Sequence, residues 1–121
     1  TATWRLIRSF EPLLKASEMG RAIFVTTGRT IRPKAFWAPY AASKAGMEAL
    51  VRCWADELET TPVRAVILDS GAVRTRMRAE AYPGEDPLDL PEPAKLGPLF
   101  VELAQQVDLP GMPETVFFKA D

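Results

Sequence analysis

The chain has 121 residues, enough for one compact domain and too few for two ordinary ones. Its 47% apolar and 26% charged residues argue against a disordered chain, and a formal net charge of −1 gives no electrostatic case for nucleic acid or an anionic membrane surface. Neither His nor Asn occurs, so Ser–His–Asp, Cys–His and zinc chemistries are disfavoured and catalysis would fall to Tyr, Lys, carboxylates or hydroxyls.

Residues 3–17 read as an amphipathic helix, with Trp4, Ile7, Phe10, Leu13 and Leu14 at steps of three and four. Pro12 should bend it and Gly20 stop it. Arg21–Thr27, RAIFVTT, is apolar on both faces, as a buried parallel strand is. The loop Gly28–Pro39 leads into a helix over about Tyr40–Leu58, with Pro39 suited to its first turn. Its expected buried stripe is Ala41, Ala45, Leu50, Val51, Trp54 and Leu58. Small residues at Ala41, Ala42, Ser43, Ala45 and Gly46 would let its first turns approach another backbone or a flat ligand, or simply pack tightly against a neighbour.

Arg64–Asp69, RAVILD, is a second buried strand, completing a βαβ unit with an expected right-handed crossover. Ser70 and Gly71 close it at its carboxyl end, where doubly wound sheets hold ligands. Residues 73–93, rich in Arg, Pro and acid, read as an excursion over the core. A helix over 94–106 and a third strand over 115–119 follow. The fold expected is α/β, with about three parallel strands flanked by helices in one partial domain over residues 1–121. No apolar run approaches the ~20 residues of a membrane span, the first ten residues lack a signal-peptide core, and the lone Cys53 fits a reducing, cytoplasmic setting.

The stretch Ala38–Ala45, APYAASKA, carries Tyr40 and Lys44 four residues apart, one turn above each other on a helix. An ammonium near a phenol favours the phenolate, and such a phenol can pass a proton to or from a substrate oxygen. Taken alone, such a pair is more often a solvated helix face. Trp37, Arg29 and Arg32 could line a substrate mouth, and Arg74, Arg76 and Arg78 could meet phosphates or an acidic substrate. A structural aromatic and solvated arginines are the plainer readings, and Glu85 and Asp86 read as surface.

A strand ending in Thr27, Tyr40 thirteen residues on, Lys44, and a strand closing at Gly71 together resemble the carboxyl-terminal half of the short-chain dehydrogenases/reductases (the SDR family). GRAIFVTTGR is similar to the family's fifth strand with its catalytic hydroxyl, YAASK to its Tyr-x-x-x-Lys, and LDSGAVRT to its sixth strand and Pro-Gly-x-Val-x-Thr segment. The segment MRAEAYPGEDP is similar to the substrate loop of some bacterial members. The resemblance implies the carboxyl-terminal part of a Rossmann-like doubly wound sheet, and hydride transfer between NAD or NADP and a small alcohol or carbonyl substrate. It implies Tyr40 as acid/base, Lys44 as its partner on the nicotinamide ribose, and Thr27 as donor to the reacting oxygen. With Tyr40 and Lys44, Gly71, Val73 and Thr75 would meet the cofactor.

Three departures stand out. Thr27 replaces the family's serine, Ser70 replaces the proline before Gly71, and nothing matches the family's first half with its glycine-rich turn and catalytic Asn. No glycine precedes Gly20. The expectation is a fragment, with a cofactor cradle too incomplete for tight binding and the isolated chain inactive. The alternative is a non-catalytic module acting through helix–helix association. Residues 3–17 and 40–58 match helices that bundle with their twins in family dimers, and the edge of the strand at 21–27 would be open, so a homo-oligomer is expected.

Overall fold

The strand Arg64–Asp69 (β2) is the spine of the chain. In the computed structural model, which describes residues 2–26, 35–71 and 76–118, it pairs in parallel with Arg21–Thr26 (β1) on one edge and Thr115–Phe117 (β3) on the other. The order is β1-β2-β3. The register sets Arg21 opposite Arg64 and Thr26 opposite Asp69, so both strands end level.

Alternation along β2 sorts the core into two layers. Ala65 and Ile67 pack with Ile7 of α1 (Ala2–Ala16) and with Val51, Trp54, Ala55 and Leu58 around α2 (Ala38–Glu57). Val66 and Leu68 pack on the other face with Leu103 of α4 (Gly97–Gln105), joined by Ile23, Leu99, Phe100 and Val116. Helices therefore cover both faces of a parallel sheet, the doubly wound arrangement expected. Fully burying a side chain such as Ile67 contributes about 1.5–3 kcal/mol. Phe24 of β1 meets Trp54 edge-to-face, 6.2 Å between ring centres, tying the edge strand to α2.

The lower end of the sheet is closed by two arginines. Arg21 donates five hydrogen bonds, to the carbonyls of Gly20, Pro62, Gln106 and Val107. It thereby joins the start of β1, the turn before β2 and the end of α4. Arg64 donates to the carbonyls of Leu58, Thr61 and Val63 around the end of α2. At Gly20 a Cβ would lie 2.6 Å from the Leu14 carbonyl oxygen, so only glycine lets the chain turn from α1 into β1 this closely.

Several expected boundaries and faces shift. α1 continues through Pro12. α2 begins two residues early, at Ala38, with Trp37 at its N-cap and Pro39 in the first turn. Its buried stripe is also rotated: Glu48 and Ala55 are buried, Ala45 is exposed, and Ala41 and Leu50 are only partly covered. A Cβ on Gly46 would meet nothing within 4 Å among the described residues, so close packing against them does not account for this glycine. Residues 73–93 include a short helix α3 (Arg76–Ala81) and a 3-10 turn at Pro87–Asp89 capped by the Asp86 carboxylate. The expected helix over 94–106 divides into a 3-10 turn at Pro93–Leu96 and α4. Pro98 stands in the first turn of α4, where its missing N–H costs nothing. β3 is described only to Phe117; Lys119, the expected end, lies outside the described residues.

Candidate active site

The face of α2 that is apolar low on the sheet becomes polar as it rises toward the strand ends. Leu58, Ala55 and Val51 are buried, and the same stripe continues by one-turn steps through Glu48, Lys44 and Tyr40. In a βαβ unit this helix starts at the carboxyl ends of the strands, so Tyr40 and Lys44 stand at the rim where doubly wound sheets hold ligands. Tyr40 is 37% exposed. Lys44 is partly covered and its Nζ donates to the Val25 carbonyl at 3.3 Å. Tyr40 and Lys44 therefore follow one another on one face of α2, with Lys44 reaching the end of β1.

Immediately below Lys44 lies a buried contact. The Thr26 hydroxyl, 5% exposed, donates to Oε1 of Glu48, 8% exposed, at 3.0 Å. Across the register from Thr26, Asp69 is also buried and its carboxylate accepts the Gly71 N–H at 2.9 Å. Gly71 then turns out of β2 with φ +66°, a left-handed conformation that favours glycine. A Cβ there would meet nothing within 4 Å among the described residues, so among them it is conformation, not crowding, that calls for glycine.

A ladder of side chains ties the segment around α3 to the start of α2. Trp37 meets Tyr40 edge-on at 5.6 Å and stacks with Tyr82 at 6.2 Å. Arg78 lies over the Tyr82 ring and engages both oxygens of Glu85, at 2.9 and 3.0 Å. That paired contact holds the Glu85 carboxyl below its ordinary range and pushes the Arg78 guanidinium up. Arg78 and Glu85, expected to be solvated surface, thus form a structural pair, and Trp37 packs against Tyr40 and Tyr82.

Of the residues expected to act, Tyr40, Lys44 and Gly71 are described, whereas Thr27, Val73 and Thr75 lie outside the described residues. So do Arg29, Arg32 and Arg74. Sequence reading overlooked Thr26, Glu48 and Tyr82. Glu48 had a usable signal: it falls four residues after Lys44 on the stripe shared by Val51 and Ala55, where a charge is out of place unless bonded. No group of three or more His, Cys, Asp or Glu that could hold a metal occurs among the described residues. None of the described helices is long and apolar enough to cross a membrane.

A three-stranded parallel sheet wrapped by helices, with a Tyr and a Lys one turn apart at its carboxyl edge, defines a Rossmann-like α/β domain. The family model for short chain dehydrogenases matches residues 1–86, and the chain belongs to that family. It is 37% identical over 102 residues to the oxidoreductase YciK of Escherichia coli K12, covering 84% of this chain and 40% of that one. A short chain dehydrogenase of Pseudomonas syringae superposes with TM-score 0.86 at 38% identity, over 94% of this chain and 47% of that one. One from Escherichia coli CFT073, complexed with NADPH, superposes with TM-score 0.84 at 35% identity, over 94% of this chain and 48% of that one. The chain spans 40% of the curated relative and about half of each solved structure.

Proposed function

We propose that this chain is the carboxyl-terminal half of a cytoplasmic NAD(P)-dependent oxidoreductase that interconverts a small alcohol and its carbonyl, with Tyr40 as the acid/base. The observation that carries the reading is the rim of the sheet. Tyr40 is partly exposed there, Lys44 is on the next turn and bonded to the end of β1, and Gly71 turns out of the neighbouring strand. The residue types present suit the nicotinamide end of such a cofactor: a phenol, a partly covered ammonium one helical turn on, and an exposed glycine turn at the end of β2. The NADPH complex of the Escherichia coli CFT073 relative supports a nicotinamide cofactor.

When bound, the nicotinamide supplies or accepts the hydride. Tyr40 gives its hydroxyl proton to the carbonyl oxygen during reduction and takes it back during alcohol oxidation. Lys44 stabilises negative charge as it forms on the phenol oxygen and reaches the cofactor ribose. Thr27 donates to the reacting oxygen. Gly71, Val73 and Thr75 would help hold the cofactor. The family's glycine-rich pyrophosphate turn has no match within these residues. This chain by itself therefore binds cofactor weakly and is inactive.

A second surface favours self-association. Leu6, Phe10 and Leu13 of α1 are exposed apolar side chains, and β1 has one strand partner among the described residues. We infer a homo-oligomer that covers α1. Calorimetric titration of the 121-residue chain with NADH and NADPH tests the split site, and tight binding would overturn the claim that the cradle is incomplete. Light scattering tests the assembly, and a stable monomer at high concentration would overturn it.

A further inference from the structure

Glu48 is a buried carboxylate with no part in the chemistry proposed above, and a carboxylate taken out of water is costly unless it is bonded. Its hydrogen bond from Thr26 spans β1 and α2, 22 residues apart in sequence. The preceding residue of β1 makes the adjacent contact: the Val25 carbonyl accepts from Lys44, one helical turn before Glu48. Two successive residues of the strand end are thus tied to two successive turns of the helix, one through backbone and one through a side chain. The lower tie is buried and the upper one stands at the rim.

We propose that Glu48 is a positioning residue. By holding the Thr26 hydroxyl inside the core it pins the end of β1 against α2 and keeps the Val25 carbonyl in reach of the Lys44 ammonium. Its role in turnover rests on the oxidoreductase reading; its hold on Lys44 does not. The bond, not the charge, is the working part, because an amide oxygen at position 48 can accept the same proton. The threonine hydroxyl is equally specific, since valine has its shape without the donor.

The test compares T26V, T26S, E48A and E48Q in the protein that carries this chain. Competitive acetylation of Lys44, read by mass spectrometry, reports how firmly the ammonium is held; NADH- and NADPH-linked carbonyl reduction reports catalysis; thermal unfolding reports stability. T26V and E48A are expected to raise Lys44 labelling about fivefold and to lower kcat about tenfold with KM little changed, as misplacement of a reacting group does. T26S and E48Q are expected to stay within about twofold of the parent, and T26V/E48A to be no worse than either single change, as for two halves of one contact. Unchanged Lys44 labelling in T26V and E48A would overturn the proposal, even if unfolding shifted. A parent protein without hydride transfer would sink the oxidoreductase reading instead, while the labelling series would still decide whether Glu48 positions Lys44.

Discussion

Arg78 holds its guanidinium carbon 3.7 Å from the centre of the Tyr82 ring, and the two residues are one helical turn apart. The ring is in turn stacked on Trp37, the N-cap of the helix that carries Tyr40. The position of α3 over the candidate site is therefore coupled to a cation–π contact and an ion pair. Glu85 sets the pH response. Its carboxyl titrates below the ordinary glutamate range because of Arg78, so its contribution is complete above that range and is lost as pH falls through the depressed value. Tyr82 ring resonances followed by NMR should hold steady from about pH 8 to about pH 5 and move only below that. In E85Q they should be displaced across the whole interval. Resonances in E85Q that match the parent at neutral pH would show that the ion pair does not hold the stack.

Gly71 makes a second prediction. Its φ of +66° is set while the Asp69 carboxylate accepts its N–H, so a side chain there is strained although no described residue would crowd it. Gly71→Ala should cost about 1–2 kcal/mol and Gly71→Asn less, because Asn tolerates the left-handed region. Urea unfolding midpoints check the order. Alanine as stable as glycine would mean that the turn relaxes.

Arg21 is predicted to matter more for stability than its place at the start of an edge strand suggests. Loss of its five bonds to carbonyls of three separate segments should cost about 2–3 kcal/mol in Arg21→Ala, in line with charged hydrogen bonds that lack full burial. Arg21→Lys should recover only part, since an ammonium cannot reproduce the planar fork. Equal stability of the lysine and arginine forms would contradict this account.

The sheet and its helices were legible because their signals are local. Arg64–Asp69 is apolar on both faces, and Pro39 marks the start of α2. Tyr40 and Lys44 were legible for the same reason, since four residues on a helix is one turn wherever the helix lies. Glu48 was not, because burial of a carboxylate depends on Thr26 in another element. The helices between residues 76 and 105 were blurred, because short segments are fixed by tertiary contacts such as Tyr82 on Trp37 rather than by periodicity. Periodicity alone places Ala45 on the buried stripe of α2, although it is exposed, because small apolar residues read alike on either face.

The central claim is that the Tyr40 hydroxyl moves the proton. Its most direct test is the rate of NADH- or NADPH-linked reduction of a panel of small carbonyl compounds by the protein carrying this chain, with Tyr40 and with Tyr40→Phe. The phenylalanine form should lose about 10²- to 10⁴-fold in kcat, the usual worth of a positioned general acid, with unchanged thermal unfolding. Turnover that survives the substitution at the parent rate would contradict the account.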